Sequence, residues 1–210
     1  SLTYNMHPLI HYGYNDKEDM FDAHSYNKGG LVLHMLRYLV GDEAFFASCK
    51  RYLEDNAYTE VEIDELRLAF ENVTGKDLNW FFDQWFLSSG QPTLNINKSF
   101  DSANNELTVK LRQTHSNEEM PSIFQLPVDF EIVYKDGSKE VFKRFLNKRE
   151  DLFVFNLKAK PALVIFDPEN TLLAIKHFDK KDEEYLFQLK HASSFEHRFI
   201  AFQKLIKSEN

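Results

Sequence analysis

The chain has 210 residues, with 25 basic and 33 acidic side chains, one cysteine and six prolines. Its 43% hydrophobic and 15% aromatic content suits a packed fold and excludes a disordered chain. No apolar run nears the roughly 20 residues that span a bilayer, and a net charge of −8 excludes non-specific nucleic-acid binding.

That charge is uneven. Residues 1–92 carry 7 basic and 15 acidic side chains, whereas residues 93–210 carry 18 of each. The sequence pattern changes at the same place, around Gly90-Gln91-Pro92. Cys49 alone cannot form an intramolecular disulfide, so the compartment stays open. The chain starts with Ser, and it reads as a piece of something longer.

The first part is helical in period. Leu31, Val32, Met35, Leu36, Leu39 and Val40 recur at three- and four-residue spacing, and Gly41 is expected to end their helix. Asp42 is expected to cap a second helix facing inward with Phe45, Phe46, Cys49, Tyr52 and Leu53. Thr59 and Glu62 have capping-box spacing ahead of Leu66, Phe70 and Val73, with Gly75 as the stop. Asp77 opens a fourth helix through Leu78, Phe81, Phe82, Trp85 and Phe86, which Gly90 and Pro92 close.

After Pro92 the period is two. Leu94 and Ile96, then Leu107, Val109 and Leu111, then Val128, Phe130, Ile132 and Tyr134 each share a face. Asp136-Gly137 makes residues 126–146 a hairpin. Short runs follow at Leu152–Leu157, Leu163–Phe166 and Leu172–Ile175, so six or seven strands form a small β-sandwich. From Lys181 the pattern is helical again, with Ser193 and Glu196 spaced as a capping box. Phe195, Phe199, Phe202 and Ile206 make one apolar stripe with nothing obvious to pack on, so it is expected to be exposed or self-associating.

Several residues invite a chemical reading. His7 and His11 have the four-residue spacing of a zinc helix, but Pro8 stands where the catalytic Glu belongs; a Pro-initiated turn is the better reading. Asp16, Glu18, Asp19 and Asp22 lack the layout of a calcium loop and read as solvated, and His24 reads as a polar neighbour. Cys49 reads as a small buried hydrophobe, and Trp80, Phe81, Phe82, Trp85 and Phe86 as core. The segment Ser25-Tyr26-Asn27-Lys28-Gly29-Gly30 differs. It sets a Tyr at the start of an apolar helix, beside glycines that allow close backbone packing. A hydroxyl there can donate to a developing oxyanion; the alternative is a capping region with Ser25 as N-cap.

At this segment the chain resembles the zinc aminopeptidases of the aminopeptidase N family. The matching residues are His7-Pro8, Met20-Phe21-Asp22, Ser25-Tyr26-Asn27-Lys28-Gly29, Leu33-His34-Met35-Leu36 and Gly41. They continue through Phe45, Tyr52, Leu66, Phe70, Gly75, Leu78, Phe82, Gln84-Trp85, Gly90 and Pro92. The family's H-E-x-x-H helix, its downstream zinc glutamate and its G-x-M-E-N segment are absent.

The resemblance implies an α+β multidomain chain. It would hold the helical end of a zincin catalytic domain at 1–92, a β-sandwich at 93–178 and the first helices of an α-solenoid domain at 179–210. It implies a whole protein that removes N-terminal residues from peptides with one zinc, with Tyr26 hydrogen-bonding the tetrahedral intermediate and Lys28 and Gly29 in structural roles. This chain alone, a C-terminal piece, is expected to hold no zinc and to be inactive. Non-catalytic scaffold relatives and a free-standing binding module are the alternatives. Peptides are the expected partners, with no nucleic acid and no membrane span.

Overall fold

The computed structural model describes residues 7–16, 18, 23–115 and 119–208. Its backbone contacts separate into two units. One holds residues 1–91 with 116–122, and the other holds 92–115 with 123–210.

The first unit is helical: α1 (Ala23–Val40), α2 (Asp42–Asp55), α3 (Ile63–Thr74) and α4 (Asn79–Trp85). Gly41 is the only residue between α1 and α2. Its N–H donates to Arg37 O at 2.8 Å and its φ of 88° turns the chain, a conformation costly for any residue with a Cβ. Asp42 does not cap α2 as its position suggests; both its carboxylate oxygens bond the Arg37 guanidinium, at 2.9 and 2.6 Å. The capping box of α3 also sits one turn later than the Thr59–Glu62 spacing suggests. Glu62 N donates to Glu65 Oε2 at 2.7 Å, while the Thr59 hydroxyl donates to Asn56 O. Gly75 ends α3 in the left-handed region, as expected, with its N–H on Glu71 O. Glu71 then accepts from Leu78 N at 2.9 Å, so one carboxylate joins the end of α3 to the start of α4.

The core of this unit is Val32, Met35, Leu36, Phe70, Leu78, Phe81, Phe82 and Trp85, each worth about 1.5–3 kcal/mol of burial. Phe45 meets Phe70 edge-on at 5.5 Å. Two residues expected inside, Phe46 and Leu53, lie on the outer face of α2, which turns Ser48 inward instead. Phe46 is covered there by the Arg37 guanidinium, 5.2 Å from its ring centre. Trp80 is half-buried, at the edge of the core.

The second unit holds β1 (Thr93–Asp101), β2 (Glu106–Gln113), β3 (Leu126–Val133), β4 (Lys139–Leu146), β5 (Glu150–Asn156), β6 (Leu163–Phe166) and β7 (Ile175–His177). The strands form two sheets, ordered β5-β2-β1-β7 and β4-β3-β6. The sheets face each other through rings: Phe130 of β3 lies 5.5 Å from Phe153 and 5.3 Å from Phe155, both on β5. The period-two residues are inside as read, and the Asp136-Gly137 turn joins β3 to β4 with Gly137 at φ 83°. Of the last expected run, Leu172 and Leu173 are buried in a loop, and the strand begins at Ile175.

Helices α5 (Asp182–His191) and α6 (Phe195–Ser208) complete this unit. All four residues of β6 are buried because Ala192 and Phe187 cover Leu163 and Ile165 on its outer face. Helix α6 has a partner after all. It seats His197 and Ala201 against α5 and the sheets, with Gln188 Nε2 donating to His197 O (2.7 Å) and His197 Nε2 on Asp167 O (2.9 Å). The phenylalanine stripe lies about 150° away around the helix and stays exposed. Ser193 is not used as a cap: its hydroxyl accepts from Lys139 Nζ at 2.6 Å.

Candidate functional site at the start of helix α1

Ser25 and Tyr26 lie within α1, whose described part runs from Ala23, so Ser25 is not the N-cap. Two residues along a helix turn about 200°, so Tyr26 and Lys28 point to opposite sides. Tyr26 is 66% exposed and Lys28 is 4% exposed. The ammonium of Lys28 donates to Ser88 O at 3.4 Å, in the segment that follows α4. Burial pushes its pKa down from 10.5 to about 8, because the charged form is poorly solvated there.

This end of the described helix is thus held from inside by Lys28 and presents Tyr26 outward. The phenol, a hydrogen-bond donor, is set on a helix rather than on a loop. That is the arrangement hydrogen-bond donation to a negative oxygen requires. The neighbouring glycines are not needed for close packing: a Cβ at Gly29 or Gly30 would meet nothing within 4 Å among the described residues.

The other candidates stay apart from this turn. His7 and His11 are not on a helix; their rings lie 4.9 Å apart at 30°, and His7 Nδ1 contacts Pro8 O at 2.7 Å. Asp16 Oδ1 accepts from Glu18 N at 2.9 Å, a local turn, while Asp19 and Asp22 lie outside the described residues, as does the side chain of His24. Cys49 is half-buried, and burial raises its thiol pKa, the opposite of a reactive thiolate. Among the described residues no three His, Cys, Asp or Glu side chains are grouped to hold a metal ion. These residues therefore do not fit the zinc that the resemblance implies, and no chemical step here runs through one.

The role of Lys28 matches the structural part expected of it. Its partner was not legible, because a backbone carbonyl carries no side-chain signal and Ser88 is sixty residues away.

Comparison with known proteins bears on this unit first. Residues 3–85 match the model of the peptidase family M1 domain. A Tricorn protease-interacting factor F2 of Thermoplasma volcanium is 35% identical over 97 residues, 45% of this chain and 12% of that protein. The protein of the same name from Thermoplasma acidophilum is 26% identical over 183 residues, 84% of this chain and 22% of that protein. An aminopeptidase N of Caulobacter vibrioides is 28% identical over 102 residues, 49% of this chain and 12% of that protein. The fold of Legionella pneumophila aminopeptidase A, solved in complex with aspartic acid, superimposes with a TM-score of 0.84 at 18% identity, over 99% of this chain and 24% of that one. The chain therefore spans less than a quarter of the length of these relatives. Its helical unit matches the M1 peptidase domain and its whole length shares the fold of an aminopeptidase, so the chain is similar to the peptidases of family M1.

Proposed function

We propose that the whole protein is a zinc aminopeptidase, releasing N-terminal residues from peptides, and that Tyr26 donates its hydroxyl hydrogen bond to the oxyanion of the tetrahedral intermediate. The observation that carries this reading is the Tyr26–Lys28 stretch of α1, where Tyr26 faces outward and Lys28 anchors the helix from within. The similarity of residues 3–85 to the M1 peptidase domain, and of the chain to an aminopeptidase N, supports the reaction class. The metal ligands and the base that activates water are assigned to residues other than those described here, since the described ones make no such group. By itself the 210-residue chain is then inactive and binds zinc only weakly. Its acidic first part, with a net charge of −8 over residues 1–92, suits a cationic peptide N-terminus.

The test is an assay of the whole protein on aminoacyl p-nitroanilides. Release of nitroaniline that a chelator abolishes and zinc restores is the expected result. A zinc-loaded, folded whole protein without activity on any aminoacyl substrate points instead to a non-catalytic scaffold. For the 210-residue chain, a zinc titration revealing one tight site would contradict the assignment of the ligands elsewhere.

A further inference from the structure

Strand β1 has one closed edge and one partly open edge. Thr114 N donates to Thr93 O at 2.9 Å, in line with the antiparallel register that pairs Leu94 with Gln113. The odd-numbered residues of β1 therefore spend their backbone groups on β2. The even-numbered residues face the other way, where Pro92 O accepts from Ile175 N. On that side β7 pairs only with Thr93–Asn95. Beyond it, among the described residues, the N–H and C=O of Lys98 and Phe100 meet no strand. An open edge is a template for a further strand.

A cleft of about 660 Å³ lies beside this edge, within the roughly 300–1,000 Å³ typical of ligand sites. Phe100, Leu107, Pro161 and Phe187 give it an apolar lining. Four lysines also line it (Lys98, Lys135, Lys160 and Lys181), against two carboxylates, Glu183 and Glu184. Lys98 is already paired with Glu184. The other three lysines are exposed. The lining thus carries an excess of two positive charges in a chain whose net charge is −8.

That charge selects the occupant. A second copy of this edge would bring lysines against lysines, which disfavours self-pairing. A strand with acidic side chains is matched in both backbone and charge. We propose that the open edge of β1 at Lys98 and Phe100 binds an extended acidic peptide segment by strand addition. The backbone of the added segment bonds that of Lys98 and Phe100. The side chains of the segment that face the cleft meet its apolar residues Phe100 and Phe187 and its exposed lysines Lys135, Lys160 and Lys181. Backbone bonds supply affinity in this mode and the side chains supply selectivity.

The experiment uses the ¹⁵N-labelled 210-residue chain and a capped Glu-Val-Glu-Val-Glu peptide at low salt. Saturable shifts are expected, with amide exchange at Lys98 and Phe100 slowed at least tenfold. The combined exchange Lys135→Glu, Lys160→Glu and Lys181→Glu alters exposed side chains only, and it is expected to weaken binding at least tenfold while leaving the strand spectrum intact. A Lys-Val-Lys-Val-Lys peptide, and an N-methylated acidic peptide that cannot donate, are expected not to bind. Absence of saturable shifts at millimolar acidic peptide overturns the proposal. So does binding that leaves exchange at Lys98 and Phe100 unchanged, which would mean charge attraction without strand addition. Protection of those amides by dimerisation of the chain without peptide would overturn it too, by assigning the edge to a second copy.

Discussion

Lys28 Nζ donates to Ser88 O, joining α1 to the segment after α4 across sixty residues of sequence. The ammonium is held with little solvent, and its pKa of about 8 lies below the 10.5 it has when free. The unfolded chain therefore binds more protons than the folded one between those values, and stability rises with pH across that window. Below pH 8 the full cost is present, on the order of 3 kcal/mol. Lys28→Met removes the buried charge and keeps the length of the side chain. Urea midpoints measured from pH 7 to 10.5 are expected to climb for the natural chain and to climb less for Lys28→Met, in which Lys180, also lowered to about 8 by burial, still titrates. Equal slopes would mean that the amine is solvated.

Tyr26→Phe removes only a hydroxyl from an exposed ring. In the whole protein, kcat is expected to fall about 100- to 1,000-fold with KM little changed, the pattern of a hydrogen bond made in the transition state. A KM effect with normal kcat would place Tyr26 in substrate binding rather than in oxyanion stabilisation.

Asp167 is a second anchor, in the two-sheet unit. It is 3% exposed and has φ 52°. Its carboxylate accepts from Thr171 N (2.9 Å), Thr171 Oγ1 (3.1 Å), Leu172 N (3.1 Å) and the Lys176 ammonium, while its carbonyl takes His197. Asp167→Ala leaves three donors and a cation without their acceptor. It is expected to destabilise the chain by about 3–5 kcal/mol, read by chemical denaturation. Asp167→Asn keeps one acceptor oxygen and is expected to cost less. A loss under 1 kcal/mol for the alanine variant would show that water replaces the carboxylate.

The outer face of α6 exposes Phe195 (70%), Phe199 (44%), Phe202 (48%) and Ile206 (47%), with the Phe195 and Phe199 rings stacked at 6.0 Å. Contiguous apolar surface of this kind drives association. Sedimentation of the 210-residue chain is expected to show concentration-dependent self-association, relieved by Phe195→Glu with Phe202→Glu. Helix content should not change, since neither ring is in the core. A natural chain that stays monomeric at high concentration would remove this expectation.

The elements were legible where their signal is local. Gly75, Asp136-Gly137 and the alternation of Leu107, Val109 and Leu111 each act through their own backbone or their own strand face, and each does what its type dictates. The misreadings share another cause: a side chain with two available partners. Asp42 chose the Arg37 guanidinium over a helix N–H, Ser193 chose Lys139, and Glu62 took the cap that Thr59 was spaced for. Helices α2 and α6 each carry more apolar residues than one face can bury, so the inward face was decided by the partner. At the site, Tyr26 and Lys28 were legible by type and position, whereas Ser88 contributes only a carbonyl and could not be seen.

The first strand of the two-sheet unit is completed by its last: β1 pairs along Thr93–Asn95 with Ile175–His177, in parallel. During synthesis Asn95 leaves the ribosome some eighty residues ahead of His177, about 4 to 16 s at ordinary elongation rates. For that interval the upper part of β1 has β2 beside it but no neighbour on its other side. The sheet can therefore close only after all seven strands have been made, and any truncation before Ile175 would leave the growing chain with a longer unsealed seam.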